Sequence, residues 1–585
     1  MSQTIPVIFI HHHEYAGLRD VFALFSERSE ETEKGAQLQL LQGRQGAAME
    51  ALEGSRSVPT EALEGSGAVP TEALEGSGAV PEETSEKRRA EASQALPGLT
   101  LISSLSRELS KEEMRGQKNG DPVLVETAAI RNGETVSRIE EALSTLDTGC
   151  GNVPRSSQTK SFPASTEERS GLEQSALVPP QLARRELKRQ LYFILSELSG
   201  IRWPWGSLTG IRPTQVAMEE LNQAREREEA RKRLVDVWGV SPEKAEKALL
   251  CGLEEERILS GLNEDELMVY AGVPFCPGRC SYCSFISRDA TRQEAWLGRY
   301  ADAMIHECET VFRTLRTPVS ALYMGGGTPT ALPDGDFERV LHSLLREVPL
   351  KEKAEITVEA GRPDTLSEKK LQIMKDCGVH RICINPQSMK DETLVRVGRQ
   401  HTAEQVRQVF RQARSLGFDE INMDLIHGLP GESDEDFLSS VREVLKLEPD
   451  AVTLHTLSLK RSSRLQEEMA EEVLPQRFPD PAFAAAAAKA EQLLAAGGYR
   501  AYYLYRQKNV RGGLENTGFA RPGKNCIYNV GMMSDRISVV GLGSGSSSKK
   551  VRGRRVERLH NSKDLQDYTE RVEELAQNKV KFFQN

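Results

Sequence analysis

The feature that most constrains the fold is a regular alternation of strand and helix patterns between Leu267 and Tyr505. Helical spacing and helix-ending residues separate short apolar segments that are typical of buried strands. Strands that alternate with helices form a parallel sheet with right-handed crossovers. Six such units in succession favour a partial barrel over a doubly wound sheet, although periodicity alone does not decide between the two. The predicted strands are Met268–Phe275, Ala321–Met324, Glu355–Ala360, Arg381–Pro386, Glu420–Ile426, Ala451–Leu459 and Tyr499–Tyr505.

One of the intervening helices is marked at both ends. Thr402 and Gln405 have the spacing of a capping box, in which each side chain bonds the backbone of the other residue. Gly417 follows the last apolar position and predicts the end of the helix. We therefore expect a helix between these residues.

Outside this core the chain divides into segments of different composition. Residues 1–27 predict the start of an N-terminal α+β domain, and residues 28–180 predict a largely low-complexity, disordered insertion. The unit ALEGSRSVPTE recurs there as ALEGSGAVPTE and ALEGSGAVPEE, and this 11-residue repeat is too short and too rich in Gly and Pro to bury a core. Residues 181–261 predict a helical linker region, residues 262–505 the core, and residues 506–585 a C-terminal extension on the substrate side.

Within the predicted insertion, two stretches are candidates for local order. They are Leu99–Leu109 and Leu124–Leu146, and both are flanked by text rich in Ser, Gly and Thr. We expect any ordered structure between residues 28 and 180 to lie there.

Composition excludes several classes of protein. The 585 residues carry a formal net charge of −10, which gives no general attraction to nucleic acid or to an anionic membrane. No apolar run is long enough to span a bilayer, and the N-terminus lacks the basic region and cleavage site of a signal peptide. Nine cysteines, an odd number spread over a long chain, argue against a secreted disulfide framework. We expect a cytoplasmic protein.

Three of the nine cysteines cluster directly after the first predicted strand. Cys276, Cys280 and Cys283 form the spacing CxxxCxxC within one loop. Three thiolates can hold three corners of a cubane iron–sulfur cluster and leave the fourth iron open. The alternatives are a structural zinc site, which would want a fourth ligand close by, and three unrelated cysteines. The next residues are Ser, Phe and Ile, and the other six cysteines are scattered singly, so the cluster is favoured.

A glycine-rich turn and a carboxylate follow the next two strands. In αβ barrels, the carboxyl ends of the strands are where active sites are built. Gly326, Gly327 and Thr328 follow the second strand, where glycines allow the backbone to approach a ligand. Glu359 ends the third strand and could pair with an ammonium or sulfonium group, or simply face solvent.

Three further polar residues belong to the fourth and fifth units. Gln387 ends the fourth strand, where a turn residue is the simpler interpretation, and Arg399 on its own is typical of a surface. Asp424 lies inside the apolar strand INMDLI, where an uncompensated charge would be costly. A bound partner or a structural salt bridge would each account for Asp424.

The cysteine spacing at the end of a first barrel strand resembles the signature of the radical S-adenosylmethionine (SAM) superfamily. The resemblance implies a [4Fe-4S] cluster whose open iron binds the amino and carboxylate groups of SAM. Reductive cleavage of SAM would then give a 5′-deoxyadenosyl radical, with the protein positioning the cofactor and excluding water.

Several motifs together resemble a narrower group, the oxygen-independent coproporphyrinogen III oxidase family. They span about residues 262–530 and comprise VYAGVPFCPGRCSYCSF, YMGGGTPT, the Glu359 strand, NPQSM with VGRQHT, and NMDLIHGLPGE. WPWGSLTGIRPT and ENTGFARPGKNCIYN resemble the coproporphyrinogen dehydrogenase branch. The family implies a partial TIM-like (β/α)6 barrel and the oxidative decarboxylation of two propionates, which converts coproporphyrinogen III to protoporphyrinogen IX. It also implies a tetrapyrrole substrate and a flavodoxin or ferredoxin as electron donor.

The resemblance also assigns roles to individual residues. Tyr270 and Glu359 match the catalytic positions beside the cluster-bound SAM, and the glycine motif matches further SAM contacts. A second group matches residues that line a second SAM site in the family. The implied cofactor contacts are Tyr270, Gly326, Gly327, Thr328 and Glu359 for the first site and Gln387, Arg399 and Asp424 for the second, with Cys276, Cys280 and Cys283 as metal ligands.

One departure from the family pattern keeps an alternative function open. The best-understood oxidases of the family carry a further cysteine two residues after the third cluster cysteine, whereas this chain has Phe285. The phenylalanine resembles the haem-chaperone branch, which shares the core but moves haem. The alternatives to the decarboxylase are therefore a haem-binding chaperone on the same scaffold, or a radical SAM enzyme acting on another tetrapyrrole.

The C-terminal extension offers weaker signals. Asn516, Asn525 and Tyr528 could face a substrate, although turn and cap residues would look the same. GLGSGSSSKK, residues 541–550, lacks the spacing of a phosphate-binding loop and predicts a flexible turn. The basic run Lys549–Arg558 predicts a solvated face that could also meet substrate propionates.

Overall fold

The structure is a computed structural model, and the residues it describes fall into two groups. It describes the backbone of residues 7–10, 99–105, 123–131 and 134–143, and the chain from residue 180 to 584 apart from residues 211, 225, 264, 284–287, 459–478, 508–509 and 554. The chain forms two compact units, one of residues 1–209 with 219–245 and one of residues 210–218 with 246–585.

The first unit contains a four-stranded sheet in the order β1-β2-β3-β4. The first pair is parallel and the other two pairs are antiparallel. Three of these strands lie inside the segment interpreted as a disordered insertion, at the two stretches that were the candidates for order. The repeat itself lies outside the described residues. The strands are β1 (Val7–Ile10), β2 (Leu99–Leu105), β3 (Val123–Arg131) and β4 (Glu134–Leu143).

Four helices follow this sheet along the chain. The first of them packs against β3 and β4 and buries Leu187, Leu191 and Ile194, which recur at helical spacing. The helices are α1 (Pro180–Ser199), α2 (Pro213–Gln223), α3 (Arg227–Asp236) and α4 (Pro242–Leu259).

The second unit is built on six parallel strands that neighbour one another in chain order. Each is followed by at least one helix, which confirms the predicted partial (β/α)6 barrel. The strands are β5 (Leu267–Val273), β8 (Val319–Gly326), β9 (Leu350–Gly361), β10 (Arg381–Ile384), β11 (Glu420–His427) and β12 (Ala451–Thr456). The helices are α5 (Glu294–Thr314), α6 (Asp334–Glu347), α7 (Glu368–Asp376), α8 (Asp391–Arg396), α9 (Ala403–Ser415), α10 (Asp434–Leu447) and α11 (Pro481–Ala496).

Further strands extend both edges of the barrel sheet. The full order is β13-β14-β12-β11-β10-β9-β8-β5-β15-β16-β17, so among the described strands the order does not close on itself and the barrel is open. The predicted strand Tyr499–Tyr505 forms β13, which pairs antiparallel with β14 rather than joining the parallel barrel. The added elements are β13 (Arg500–Arg506), β14 (Glu515–Ala520), α12 (Ile527–Met533), β15 (Ser538–Leu542), β16 (Ser547–Arg552), β17 (Arg555–His560), α13 (Leu565–Glu570) and α14 (Val572–Gln584).

The strand β5 shows how the barrel directs its side chains. Successive strand residues point to opposite faces of a sheet. Val269, Ala271 and Val273 belong to the cluster that packs under the helices, whereas Met268 and Tyr270 belong to the cluster of the barrel interior. The register of this strand therefore places Tyr270 inside the barrel, just before the cysteine loop.

Candidate active site

The cysteine loop is closed at its base by a short pair of strands. β6 (Phe275–Cys276) pairs in parallel with β7 (Arg288–Asp289), and the backbone of Ala290 donates to the Cys276 carbonyl at 2.8 Å. Within the loop, the Cys283 amide donates to the Cys280 carbonyl at 3.1 Å. The three predicted ligands are thus carried on one tight turn at the carboxyl end of β5. Phe285 lies outside the described residues.

The glycine turn after β8 lies directly against this loop. The amides of Gly327 and Thr328 donate to the carbonyls of Val273 and Phe275, both at 2.7 Å. A side chain on Gly327 would come within 2.6 Å of the Phe275 carbonyl, so the close approach requires glycine. The Thr328 hydroxyl donates to the Cys276 sulfur at 3.5 Å. The predicted glycine motif therefore touches Cys276, the first of the three predicted cluster ligands.

The end of β9 supplies a second contact to the loop, which the sequence did not predict. The Arg362 guanidinium donates to the Gly278 carbonyl at 3.1 Å and lies 3.9 Å from the Cys280 sulfur. Asp364 accepts two hydrogen bonds from the same guanidinium, at 3.0 and 2.7 Å. Sequence reasoning missed Arg362 because it stands in a segment, GRPDT, with no spacing that marks a site.

The segment after β10 supplies a third contact. The buried Arg399 donates to the Asn385 carbonyl at 2.7 Å and to the Tyr282 hydroxyl at 3.3 Å. The Ser281 amide donates to the Val397 carbonyl at 3.0 Å. Burial raises the pKa of Tyr282 far above its usual value, so this phenol stays protonated. Arg399 is therefore not the surface residue that its sequence position alone indicates, and Tyr282 joins the site as a residue that sequence reasoning missed.

Inside the barrel, three tyrosines surround the predicted carboxylate Glu359. The Tyr323 hydroxyl donates to Glu359 Oε1 at 2.5 Å, and the Gly326 amide donates to Oε2 at 3.3 Å. The rings of Tyr323 and Tyr528 stack with centroids 4.5 Å apart, and Tyr270 stacks on both at just over 6 Å. Burial raises the pKa of Glu359 to about 7, against the effect of the Tyr323 hydrogen bond. The carboxyl is thus balanced between its charged and neutral forms.

Asp424 has a partner on the neighbouring strand. Its Oδ2 lies 3.6 Å from His455 Nε2, and the Asn422 amide donates to its Oδ1 at 2.7 Å. Burial alone would raise the pKa of Asp424, but the hydrogen bonds and charge of His455, with the Asn422 amide, bring that pKa below its usual value. The salt-bridge interpretation of Asp424 therefore has a structural basis, and His455 is a further residue of the site that no sequence pattern marks.

Gln387 adopts an unusual backbone conformation for a residue other than glycine. Its φ of +68° lies in the left-handed region, and its backbone bridges to β11, donating to the Asp424 carbonyl at 2.9 Å. Its buried side-chain oxygen has no hydrogen-bond partner among the described residues. Strain and an unsatisfied acceptor at one residue are typical of a ligand site.

Two of the C-terminal candidates are held by the protein itself. Asn516 accepts the Thr456 amide at 2.8 Å, and Asn525 donates to Glu254 at 2.5 Å. Only Tyr528 of the three candidates joins the residues around Glu359.

The interpretation of the basic run as a solvated face is wrong at its start. Lys549 is buried and donates to the carbonyls of Gly531 and Met532 at 3.0 Å, at the end of α12. Lys550 is buried as well and donates to the Phe582 carbonyl at 2.7 Å. The segment 541–550 is also no flexible turn, because β15 and β16 occupy most of it. Consecutive strand residues point to opposite faces of a sheet, so Lys549 and Lys550 are both buried because α12 covers one face of β16 and α14 the other.

Comparison with known proteins places this geometry in a family. A model of the radical SAM superfamily matches residues 270–444. The oxygen-independent coproporphyrinogen-III oxidase-like protein HemZ of Bacillus subtilis is 35% identical over 423 residues, which cover 69% of this chain and 82% of HemZ. This chain belongs to the oxygen-independent coproporphyrinogen III oxidase-like family of radical SAM proteins.

Other members of this radical SAM group are similar over shorter lengths. The heme chaperone HemW of Escherichia coli is 29% identical over 284 residues, which cover 48% of this chain and 70% of HemW. The solved structure of the coproporphyrinogen III oxidase HemN from Escherichia coli shares 24% identity and covers 55% of this chain and 72% of its own, with a TM-score of 0.44.

The cofactors of the radical SAM family, a [4Fe-4S] cluster and SAM, are those of this chain. The cysteine loop suits such a cluster, because each thiolate of a cubane binds a different iron. The loop supplies three thiolates, which is one short of the four protein ligands of a structural zinc site and leaves the fourth iron of a cubane open. Among the described helices, none is long and apolar enough to cross a membrane.

Proposed function

We propose that this radical SAM protein catalyses the oxygen-independent oxidative decarboxylation of coproporphyrinogen III propionates to vinyl groups, giving protoporphyrinogen IX. The observation that carries the proposal is the extent of the match to HemZ, an oxygen-independent coproporphyrinogen-III oxidase-like protein. That match covers 423 residues and therefore continues well beyond the radical SAM core at 270–444. A shared substrate is a natural reason for similarity outside the part that binds the common cofactors.

In this proposal the cluster is held by Cys276, Cys280 and Cys283. With SAM bound, this cluster would supply a radical able to remove hydrogen from a propionate β-carbon; loss of CO2 with transfer of one electron to an acceptor, such as the oxidised cluster, would then leave the vinyl group. Tyr270 and Glu359 lie inside the barrel next to the glycine motif, where Gly326, Gly327 and Thr328 can offer backbone groups to SAM. The contacts between these residues support their assignment to one pocket.

Glu359 has the properties that a contact to the SAM ammonium group requires. The carboxyl is buried and its pKa is about 7, so a bound cation would shift it to the charged form. Tyr323 orients one oxygen and leaves the other to a weaker bond of 3.3 Å from Gly326. Each carboxylate oxygen thus keeps a lone pair that a ligand could use.

The second SAM site is proposed for Gln387, Arg399 and Asp424. These residues belong to one rim of the barrel, since Gln387 bonds the Asp424 backbone and Arg399 bonds the Asn385 carbonyl two residues earlier. The unsatisfied Gln387 oxygen and the Arg399 Nε are the groups of this set that a ligand could still engage. We further propose a flavodoxin or ferredoxin as electron donor and a cytoplasmic location.

An anaerobic turnover assay tests the function directly. Reconstituted protein is incubated with SAM, dithionite and coproporphyrinogen III, and the products are separated after oxidation to porphyrins. We expect protoporphyrin together with 5′-deoxyadenosine, and neither product from the Cys280→Ala variant. Cys377→Ala is the matched control, since this half-buried cysteine directly follows α7 and contacts His342.

The same assay distinguishes the haem carrier suggested by Phe285 and by the similarity to HemW. A carrier would bind haem in a fixed molar ratio and leave coproporphyrinogen unchanged. Turnover of a different tetrapyrrole under the same conditions would retain the radical SAM activity and overturn the substrate. Unchanged coproporphyrinogen with full 5′-deoxyadenosine release would point to this last case.

A further inference from the structure

Arg362 is a buried cation placed against the cysteine loop. It follows the last residue of β9 and is 4% exposed. One of its terminal nitrogens, Nη1, serves both the Gly278 carbonyl at 3.1 Å and the Cys280 sulfur at 3.9 Å. Gly278 and Cys280 lie within the CxxxC part of the loop, so this nitrogen contacts both the backbone and a ligand side chain of the predicted cluster.

The remaining nitrogens of Arg362 fix its orientation. Nε and Nη2 donate to the two carboxylate oxygens of Asp364, the paired geometry that a guanidinium and a carboxylate form best. Asp364 in turn lies 3.7 Å from the ring of His401, which is also buried. Because Asp364 holds both Nε and Nη2 of the planar guanidinium, Nη1 cannot turn away from the cysteine loop.

Two neighbouring contacts to the loop differ from this one in charge or in target. Thr328 donates to the Cys276 sulfur, but its hydroxyl is neutral. Arg399 is charged, but it donates to the carbonyls of Asn385 and Gly361 and to the Tyr282 hydroxyl. Arg362 combines a positive charge with a sulfur acceptor. Hydrogen bonds to cysteine sulfurs and local charge are both determinants of the reduction potential of an iron–sulfur cluster.

We propose that Arg362 is a positioning residue that raises the reduction potential of the cluster held by Cys276, Cys280 and Cys283. The guanidinium stabilises the additional negative charge of the reduced cluster through Cys280, and the Gly278 bond fixes the loop at the distance where this operates. Asp364 acts through Arg362 by holding its orientation. The inference rests on the cofactor of the family and not on the tetrapyrrole substrate, so it stands or falls separately from the proposed reaction.

The test is a reductive titration of the reconstituted protein without substrate, followed by electron paramagnetic resonance of the reduced cluster. In Arg362→Gln the guanidinium charge is lost, and we expect the equilibrium constant for one-electron reduction to fall about tenfold, which is about 59 mV toward lower potential. Arg362→Lys retains a positive charge but lacks the planar guanidinium. We therefore expect the equilibrium constant for one-electron reduction to fall roughly threefold in this variant. The matched control is Arg346→Gln, which removes an exposed arginine on α6 and should leave the potential unchanged.

Iron and sulfide analysis of each variant decides how the titration is interpreted. If Arg362→Gln carries a full cluster and titrates at the wild-type potential, the proposal is overturned and the residue is merely structural. If that variant fails to hold iron, Arg362→Lys decides. A wild-type potential in a fully loaded Arg362→Lys protein would then overturn the proposal, and a lowered potential would support it.

Discussion

Two buried ionic networks in the second unit differ in how completely their polar groups are hydrogen-bonded. Behind β5, the fully buried Glu307 accepts hydrogen bonds from Lys579, from Tyr568 at 2.8 Å and from Asn561 at 2.7 Å. The Gly543 amide adds a further bond at 2.8 Å. This network ties α5 to the C-terminal helices and the β15–β16 turn, and both oxygens of its carboxylate are occupied.

The network at the cysteine loop is organised otherwise. Arg362 and Asp364 pair with each other, but the nearby Gln387 oxygen and the Arg399 Nε are buried without a hydrogen-bond partner among the described residues. Gln387 also holds a left-handed backbone conformation. A buried polar group without a partner costs roughly 1–3 kcal/mol. A fold tolerates such costs where a ligand completes the bonds, so the incomplete network marks the site and the complete one marks the scaffold.

The largest expected effect is a loss of SAM cleavage when the network at the cysteine loop is altered. Cys280→Ala removes one proposed cluster ligand, so 5′-deoxyadenosine formation by dithionite-reduced protein should fall on the order of 1,000-fold or more, because the cofactor carries the reaction. The free energy of unfolding of the cofactor-free variant should change by only about 1 kcal/mol. Cleavage of SAM at the wild-type rate would show that the site has been assigned to the wrong network.

Disruption of the Glu307 network should do the reverse. Lys579→Met leaves a fully buried carboxylate without its cation, which should reduce the free energy of unfolding by about 3–5 kcal/mol in urea denaturation. The cluster potential of the folded variant should match that of the wild type. Lys581→Met on the exposed side of the same helix serves as the control, with a change under about 0.5 kcal/mol. A comparable decrease in the free energy of unfolding of both variants would mean that the substitutions weaken the helix itself and not the Glu307 network.

The next largest expected effect is a dependence of protein stability on pH, which arises from Glu359 in the candidate site. Glu359 has a pKa of about 7 when folded, against 4.5 as the ordinary value, because burial disfavours its charge. Between these values the folded state holds a proton that the unfolded state has released, so stability falls as pH rises from about 4.5 through 7.

Glu359→Gln should remove this dependence in the cofactor-free protein. At about 1.36 kcal/mol for each pH unit, the contribution of Glu359 to the free energy of unfolding differs between pH 5 and pH 8 by on the order of 3 kcal/mol at most. Denaturation curves of the wild type and the variant at the two pH values measure it. Glu404→Gln, an exposed residue of α9, should leave the slope unchanged. Equal slopes for the wild type and Glu359→Gln would show that Glu359 is charged throughout.

The smallest expected effect lies at the edge of the site. Thr402 caps α9 and forms the predicted box with Gln405, with both bonds present at 3.2 and 2.8 Å. Thr402→Ala should cost about 1 kcal/mol of stability and leave the cluster potential unaltered, although His401 next to it contacts Asp364. A shift in potential would mean that the cap helps to position Arg362.

The sequence predicted the local parts of the molecule well and the contacts between them less well. The six barrel strands, the capped helix and the partial barrel are confirmed, and each is signalled by a pattern within one short segment. The interpretations of residues 541–550 and of Lys549 were wrong because neither the pairing of β15 with β5 nor the packing of α12 is visible in the local pattern. The cysteine loop was found through spacing, whereas Arg362, Tyr282 and His455 carry no spacing signal.

The sequence by itself determined that strands and helices alternate around a loop with three closely spaced cysteines. Periodicity and spacing along the chain are sufficient for that, since they act over a few residues. Only the tertiary structure decided that Arg362 from the end of β9 reaches Cys280, that Arg399 reaches Tyr282, and that His455 pairs with Asp424. These encounters depend on the register between neighbouring parallel strands, which brings together residues that lie tens of positions apart in the chain.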